Sequence, residues 1–140
     1  AGPMNTVIRT GGRTDVLPVL RLWTAAGAQP SHTDNVAGLE ALLAHDPDAL
    51  MVAEDGPAVV GSVIAAWDGW RGSIYRLAVA PSHRRTGLAG RLLRRGEERL
   101  SDIGALRLQA VVVGTDAPAT GFWGASGWEQ QHDRLRFVRG

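Results

Sequence analysis

Apolar positions recur along the chain with two periods, and the changes between them set out an order of elements. The stretch "NTVIRT" (5–10) reads as a short strand. In "TDVLPVLRLWTAAG", Val16, Val19, Leu20 and Trp23 follow helical spacing, with Thr14 or Asp15 near the start and Gly27 at the end. Pro18 falls in the first turn, where its missing N–H costs little. The loop "QPSHTDN" follows, and Asp34 or Asn35 is placed to cap a second helix through Val36, Leu39, Leu42 and Leu43. Three strands come next: "ALMVAE", which turns at Asp55-Gly56, then "AVVGSVIAAW", then "SIYRLAVA" after the turn "DGWRG". Pro81 stops the third. Leu88, Leu92, Leu93 and Leu100 stripe one face of a helix over about 88–100. "ALRLQAVVV" is a further strand, and "APATGFWGASG" is a short helix ending at Gly127. "WEQQ" and "RLRFVR" read as a closing pair of strands joined at His132-Asp133. The order β-α-α-β-β-β-α-β-α-β-β predicts an α/β (α+β) fold, a mixed sheet with helices covering it around one core. A doubly wound nucleotide fold alternates strand and helix throughout, and this order does not.

Composition narrows the function. The 140 residues suit one domain, taken as 4–140, with "AGP" before Met4 set aside as an expression remnant. At 44% hydrophobic the chain has an ordinary soluble globular composition. Cysteine is absent, which excludes disulfides, thiol nucleophiles and thiolate metal sites. No histidine pair has ligand spacing, so no metal is expected. No apolar run approaches the roughly 20 residues of a membrane span, and no charged-then-apolar leader is visible. These features fit a cytoplasmic protein with no membrane partner. Net charge is +1, yet all 15 basic residues are arginine. Arg84, Arg85, Arg91, Arg94, Arg95 and Arg99 fall in one short segment. Local basicity in a neutral whole points to a discrete anionic ligand more than to nucleic acid. A solvated arginine-rich helix face is the competing reading.

That segment, "HRRTGLAGRLL" (83–93), has the makings of an anion cradle. A helix N-terminus leaves its first N–H groups unpaired, and its dipole adds partial positive charge there. A tight loop entering such a helix wraps an anion with those groups. Gly87, Ala89 and Gly90 let backbone approach closely, and arginines add charge and forked donors. No lysine and no G-K-[ST] ending is present, so this is not a Walker loop. The G-x-G-x-x-G fingerprint is absent as well. A pyrophosphate without a transferable phosphoryl group fits better.

With its preceding strand, "YRLAVAPSHRRTGLAGRLL" resembles the acetyl-coenzyme A binding motif of the GNAT superfamily of acyltransferases, small single-domain bacterial-type members in particular. Arg84, Gly87 and Ala89 occupy the places of [QR]-x-x-G-x-[GA]. "DAPATGFWGASGW" resembles a second motif of the family, N-x-x-A-x-x-[FL]-Y-x-x-x-G-[FW], through Ala119, Phe122, Gly127 and Trp128. The resemblance covers essentially the whole chain and implies a mostly antiparallel sheet with a splayed central strand pair. It implies acetyl-coenzyme A as co-substrate, with Leu77, Ala78 and Val79 along the pantetheine arm and the Val79 N–H stabilising the oxyanion. It places the pyrophosphate on the N–H groups of Arg85, Thr86, Gly87, Leu88, Ala89 and Gly90. Side chains of Arg84 and Arg91 reach phosphates, and Asp116, Ala119, Phe122 and Trp123 flank the cofactor from the later helix.

The chain departs from the family at three places. Asp116 stands for an Asn, and a carboxylate only accepts where an amide donates. Trp123 stands for the Tyr that commonly protonates the leaving thiolate, and an indole N–H transfers no proton at neutral pH. A thiol with a pKa of about 8.5 leaves tolerably as an anion. The amine is the harder requirement: near pKa 10.4, about 99.9% of it is protonated at pH 7. Several family members use a Glu on the third central strand as base, and Ser73 stands there. Tyr75, with the strand parity of Ser73 and Leu77, and Asp68, in "WDGWRG", are the substitutes. Asp68 is first of all turn chemistry. His32 and Trp67 join Ser73 as candidate acceptor-site residues. The resemblance implies a primary-amine acceptor, small-molecule or peptidic, that attacks directly, and a homodimer is in keeping with the family. Two other readings compete: a non-catalytic acyl-coenzyme A sensor, and a different anion-binding α/β domain.

Overall fold

The computed structural model describes residues 6–28, 31–112 and 117–140, with side chains described from 121 onward in the last stretch. Backbone contacts divide the chain into two compact units, Ala1–Ala110 and Val111–Gly140. Among the described residues no helix is long and apolar enough to cross a membrane.

The first unit is a five-stranded sheet with helices on both faces. Strand β1 (Thr6–Thr10) leads through a 3-10 turn into helix α1 (Val16–Ala25), followed by α2 (Val36–His45). Strands β2 (Leu50–Asp55), β3 (Ala58–Trp67) and β4 (Gly72–Val79) form antiparallel hairpins in sequence order. Helix α3 (Leu88–Asp102) returns the chain to β5 (Leu108–Ala110), which pairs parallel with β4. The sheet order is β1-β2-β3-β4-β5, mostly antiparallel as expected. The β4–β5 pairing spans only Gly72↔Leu108 to Ile74↔Ala110. Beyond Ile74, β4 has no strand partner on that side among the described residues.

Burial explains the layering. Leu88, Leu92, Leu93 and Leu100 are the stripe of α3, each at most 3% exposed; burying each such side chain stabilises by about 1.5–3 kcal/mol. Helix α3 lies close because the sheet is bare beneath it. A Cβ at Gly61 would stand 2.8 Å from Leu92 Cδ1, and one at Gly72 2.7 Å from Leu100 Cδ1. The other face carries Val16, Val19, Leu22 and Trp23 of α1 and Leu39 and Leu43 of α2 against Leu50, Val52 and Ile64. Asn35, one of two expected caps, accepts from Gly38 N–H at 2.7 Å. Asp15 acts backward instead, accepting from Gly12 N–H and from Arg9.

In the second unit α4 (Ala117–Ala125) ends at Gly127, at φ +87°. The two closing strands expected at "WEQQ" and "RLRFVR" are not formed: residues 128–140 carry no ladder, and Leu135, Phe137 and Val138 are exposed. Alternation alone makes no strand; a strand needs an edge to bond. Of the strand expected over 105–113, Leu108–Ala110 find a partner on β4, the other residues through 112 are not strand, and Val113 lies outside the described residues.

Candidate functional site

The edge of β4 that has no strand partner among the described residues and the start of α3 are joined by a short connection, and together they form the candidate site. Register sets the edge. Ser62↔Ala78 and Ile64↔Tyr75 leave Val63 facing both Arg76 and Leu77, a β-bulge. Arg76 sits at φ +50°, uncommon for a residue other than glycine. Past the bulge Ala80 N–H donates to Val60 C=O at 2.8 Å. N–H directions alternate along a strand, so the Val79 N–H points away from β3, to the side β5 has left.

The bulge also changes faces. Ser73 and Tyr75 lie opposite Ala66 and Ile64, on the α1–α2 face. After the extra residue it is Ala78 that shares this face, packed against the α1–α2 core. The expected parity of Tyr75 with Leu77 therefore does not carry through, because one inserted residue shifts the period of two.

The connection is held tightly. A 3-10 turn, Pro81–His83, places the His83 ring between Ser82 Oγ (2.7 Å) and Asp55 Oδ2 (2.8 Å), tying the loop to the β2–β3 hairpin. Thr86 Oγ1 donates to the His83 carbonyl at 2.6 Å. Arg85 and Gly87 take φ of +63° and +81°, and Gly87 caps α3 without a side chain. The first intrahelical bond runs from Arg91 N–H to Gly87 C=O. Among the described residues nothing accepts from the N–H groups of residues 85–90. Gly87, Leu88, Ala89 and Gly90 thus present unsatisfied donors on a positive helix end. Arg84 donates to the Ala26 carbonyl at 3.0 Å, and Arg91 to the Thr6 carbonyl at 3.2 Å. Each of these expected phosphate ligands spends a donor on main chain. Arg94, four residues after Gly90, brings Nη1 within 3.4 Å of a Cβ built there. Its i+4 spacing is the signal that would have found it.

On the acceptor side Tyr75 is 51% exposed. Ser73 Oγ accepts from Gln109 Nε2 at 3.1 Å. Trp67 is half-buried at the end of β3. His32 is exposed, its carbonyl accepting from Asn35 Nδ2 at 2.9 Å. Asp68 Oδ1 accepts from Trp70 N–H (2.8 Å) and Arg71 N–H (2.7 Å), closing the β3–β4 turn. The Arg71 bond first, then that from Trp70, holds its carboxyl below the usual range. Such a group accepts a proton less readily than a free carboxylate. In the second unit Trp123 packs edge-on against Phe122 (centroids 5.8 Å) and Trp128 (4.8 Å). Asp116 and the Ala119 side chain lie outside the described residues.

Two residues without a role in the sequence analysis, Ser62 and Arg76, join Trp23 and Asp34 beside the site. Trp23 Nε1 donates to Ser62 Oγ at 2.8 Å, and Ser62 Oγ donates to the Arg76 carbonyl at 2.8 Å. The Arg76 guanidinium is ion-paired with Asp34, its Nε 3.1 Å from Oδ1.

Residues 18–128 match the model of the acetyltransferase (GNAT) family. The chain belongs to the GNAT acetyltransferase family. An acetyltransferase of Sodalis glossinidius is 32% identical over 128 residues, covering 91% of this chain and 90% of that one. In fold it is similar to Ard1 from Thermoplasma volcanium (TM-score 0.79, 20% identity, 88% of this chain and 82% of that one). It is similar also to the acetyltransferase AAC(6')-Iy, solved with a coenzyme A bisubstrate analogue (TM-score 0.73, 19% identity, 96% and 97%). This GNAT protein is thus an acetyl-coenzyme A-dependent acyltransferase. Its residues fit that co-substrate: the N–H groups over 85–90, without acceptors among the described residues, suit a pyrophosphate, and the β4 edge, without a strand partner among them past Ile74, suits an amide-bearing arm.

Proposed function

We propose that residues 4–140 act as one acyltransferase domain that moves an acetyl group from acetyl-coenzyme A to a primary amine by direct attack. The observation that carries this is a strand edge at Val79, without a strand partner among the described residues, that runs through a clamped loop into a helix N-terminus at Gly87 whose N–H groups have no acceptor among them. The backbone of Leu77, Ala78 and Val79 bonds the pantetheine arm. The Val79 N–H polarises the thioester carbonyl and holds the oxyanion. The N–H groups of Arg85, Thr86, Gly87, Leu88, Ala89 and Gly90 hold the pyrophosphate, with Arg84, Arg91 and Arg94 supplying charge.

Tyr75 and Ser73 face the acceptor, with His32 and Trp67 bordering it, and water carries the amine's proton away. Asp68 serves the turn. Trp123 gives no acid, and the thiolate leaves as an anion. The resemblance to the family's second motif assigns Asp116, Ala119, Phe122 and Trp123 to coenzyme A binding as well. The acceptor is a small molecule or peptide amine. The structural neighbour AAC(6')-Iy, an aminoglycoside N-acetyltransferase, supports that class. We place the enzyme in the cytoplasm as a homodimer, which fractionation and light scattering test.

Free-thiol release from acetyl-coenzyme A across a panel of primary amines tests the reaction. Amine-dependent release supports it. The sensor reading draws on the aromatic packing of Trp123 and the Gln109 bond to Ser73. Tight cofactor binding with no release for any amine would favour it.

A further inference from the structure

Arg76 is gripped by residues distant in the chain. A residue other than glycine at φ +50° inside a strand persists only where its surroundings over-determine it. Here they do so twice. The Arg76 carbonyl is bonded by Ser62 Oγ, which is fully buried and itself fixed by Trp23 of α1. The Arg76 side chain is bonded by Asp34 and lies 5.4 Å from the Trp23 ring centroid. Asp34 belongs to the loop before α2, where it also accepts from Ser31 N–H at 3.1 Å. The same loop carries His32.

The bulge has a direct chemical consequence. Strand N–H groups alternate in direction, so a slip of one residue exchanges inward for outward. With the extra residue in place, Ala80 N–H bonds β3 and Val79 N–H faces out. Without it, Val79 would turn its N–H into the ladder. We propose, resting on the acetyltransferase reading above, that Arg76 is a positioning residue: Ser62 on its carbonyl and Asp34 on its guanidinium hold the bulge that aims the Val79 N–H, and so couple the loop over 31–35 to the oxyanion donor. An amine seated against that loop and the thioester it attacks then share one residue's conformation.

Infrared difference spectra of acetyl-coenzyme A carrying carbon-13 at its thioester carbonyl test this without an acceptor. Bound to the native chain, the carbonyl stretch falls below that of free acetyl-coenzyme A, because the Val79 N–H polarises it. In Ser62→Ala the lowering is lost, while coenzyme A affinity, set by the loop over 84–90, stays within about threefold. Ser62→Cys, of similar size with a weak donor, recovers part of it. Asp34→Ala, on an exposed loop, reduces it even if Ser62→Ala fails to fold. A native-sized lowering in Asp34→Ala or Ser62→Ala overturns the proposal. So does a native chain that binds acetyl-coenzyme A with its carbonyl unshifted. A native chain that does not bind acetyl-coenzyme A at all overturns the acetyltransferase reading itself, which separates the two failures.

Discussion

Gly87 gives the sharpest test of the cradle. It holds φ +81° as the cap of α3, and a Cβ built there meets nothing within 4 Å. Substitution therefore costs backbone strain and no packing. An L-residue in the left-handed region costs about 1–2 kcal/mol. The free loop, exposed at this point, relaxes out of that region and meets the cost on binding. With about 1.4 kcal/mol per tenfold in affinity, Gly87→Ala should weaken coenzyme A binding by roughly 5- to 30-fold. Asn tolerates the left-handed region, so Gly87→Asn should lose less. Gly87→Val, β-branched, should lose more than either. Isothermal titration with coenzyme A gives the affinities, and thermal melts confirm that each variant is folded. The expected order is Gly, Asn, Ala, Val from tight to weak, with melting points close together. A folded Gly87→Val with native affinity would show that the left-handed turn at Gly87 does not shape the cradle.

Further outcomes follow from the charged contacts. The Arg9 guanidinium, 2.9 Å from Asp15, and the Gly12 N–H hold the Asp15 carboxyl below its ordinary range. Its folded pKa lies under the unfolded value of about 3.9, so its stabilisation is present above that pH and fades as pH falls through the lower folded value. Acid unfolding of Asp15→Asn should accordingly fall less steeply below about pH 4 than native; parallel profiles would count against the pairing. Arg99, 13% exposed, bonds Asp46 at 2.6 Å and the Ala65 carbonyl. Asp46→Ala should lower stability in urea by about 2–3 kcal/mol, below the full buried-pair cost because both ends keep some solvent. A loss under about 0.5 kcal/mol would show the pair to be decorative. Asp55→Ala frees His83 from the β2–β3 hairpin and should weaken coenzyme A binding by about 3- to 10-fold in calorimetry. Unchanged affinity would mean that the clamp does not shape the loop.

Local chemistry was the legible part of this fold. The leucine stripe of α3, Pro18 in the first turn of α1, the Asp55-Gly56 turn and the glycine-spaced loop after β4 each follow from neighbours within a few residues, and each stands in the structure. What stayed hidden depends on partners far away. The alternating Leu135 and Phe137 look like a strand, but a strand exists only where an edge accepts it, and none does among the described residues. The bulge at Arg76 adds one residue where no glycine marks it, which moved every later parity on β4. The bonds that hold it join Ser62 to Trp23 and to Arg76, positions 39 and 14 residues apart, and no spacing rule reports them. Asp68 shows the reverse: its Asp-Gly setting spoke for a turn, and its carboxylate is spent on that turn.

Direct acetyl transfer to an amine leaves the acetyl group on one product only, so an isotope label follows it. Acetyl-coenzyme A carrying an isotope in its acetyl group is incubated with the protein and a panel of primary amines, and all products are read by mass spectrometry. Labelled amide and free coenzyme A are expected in equal amounts, with no label retained on the protein. Label recovered only as acetate, or on the protein, or not transferred at all while acetyl-coenzyme A binds, would contradict it.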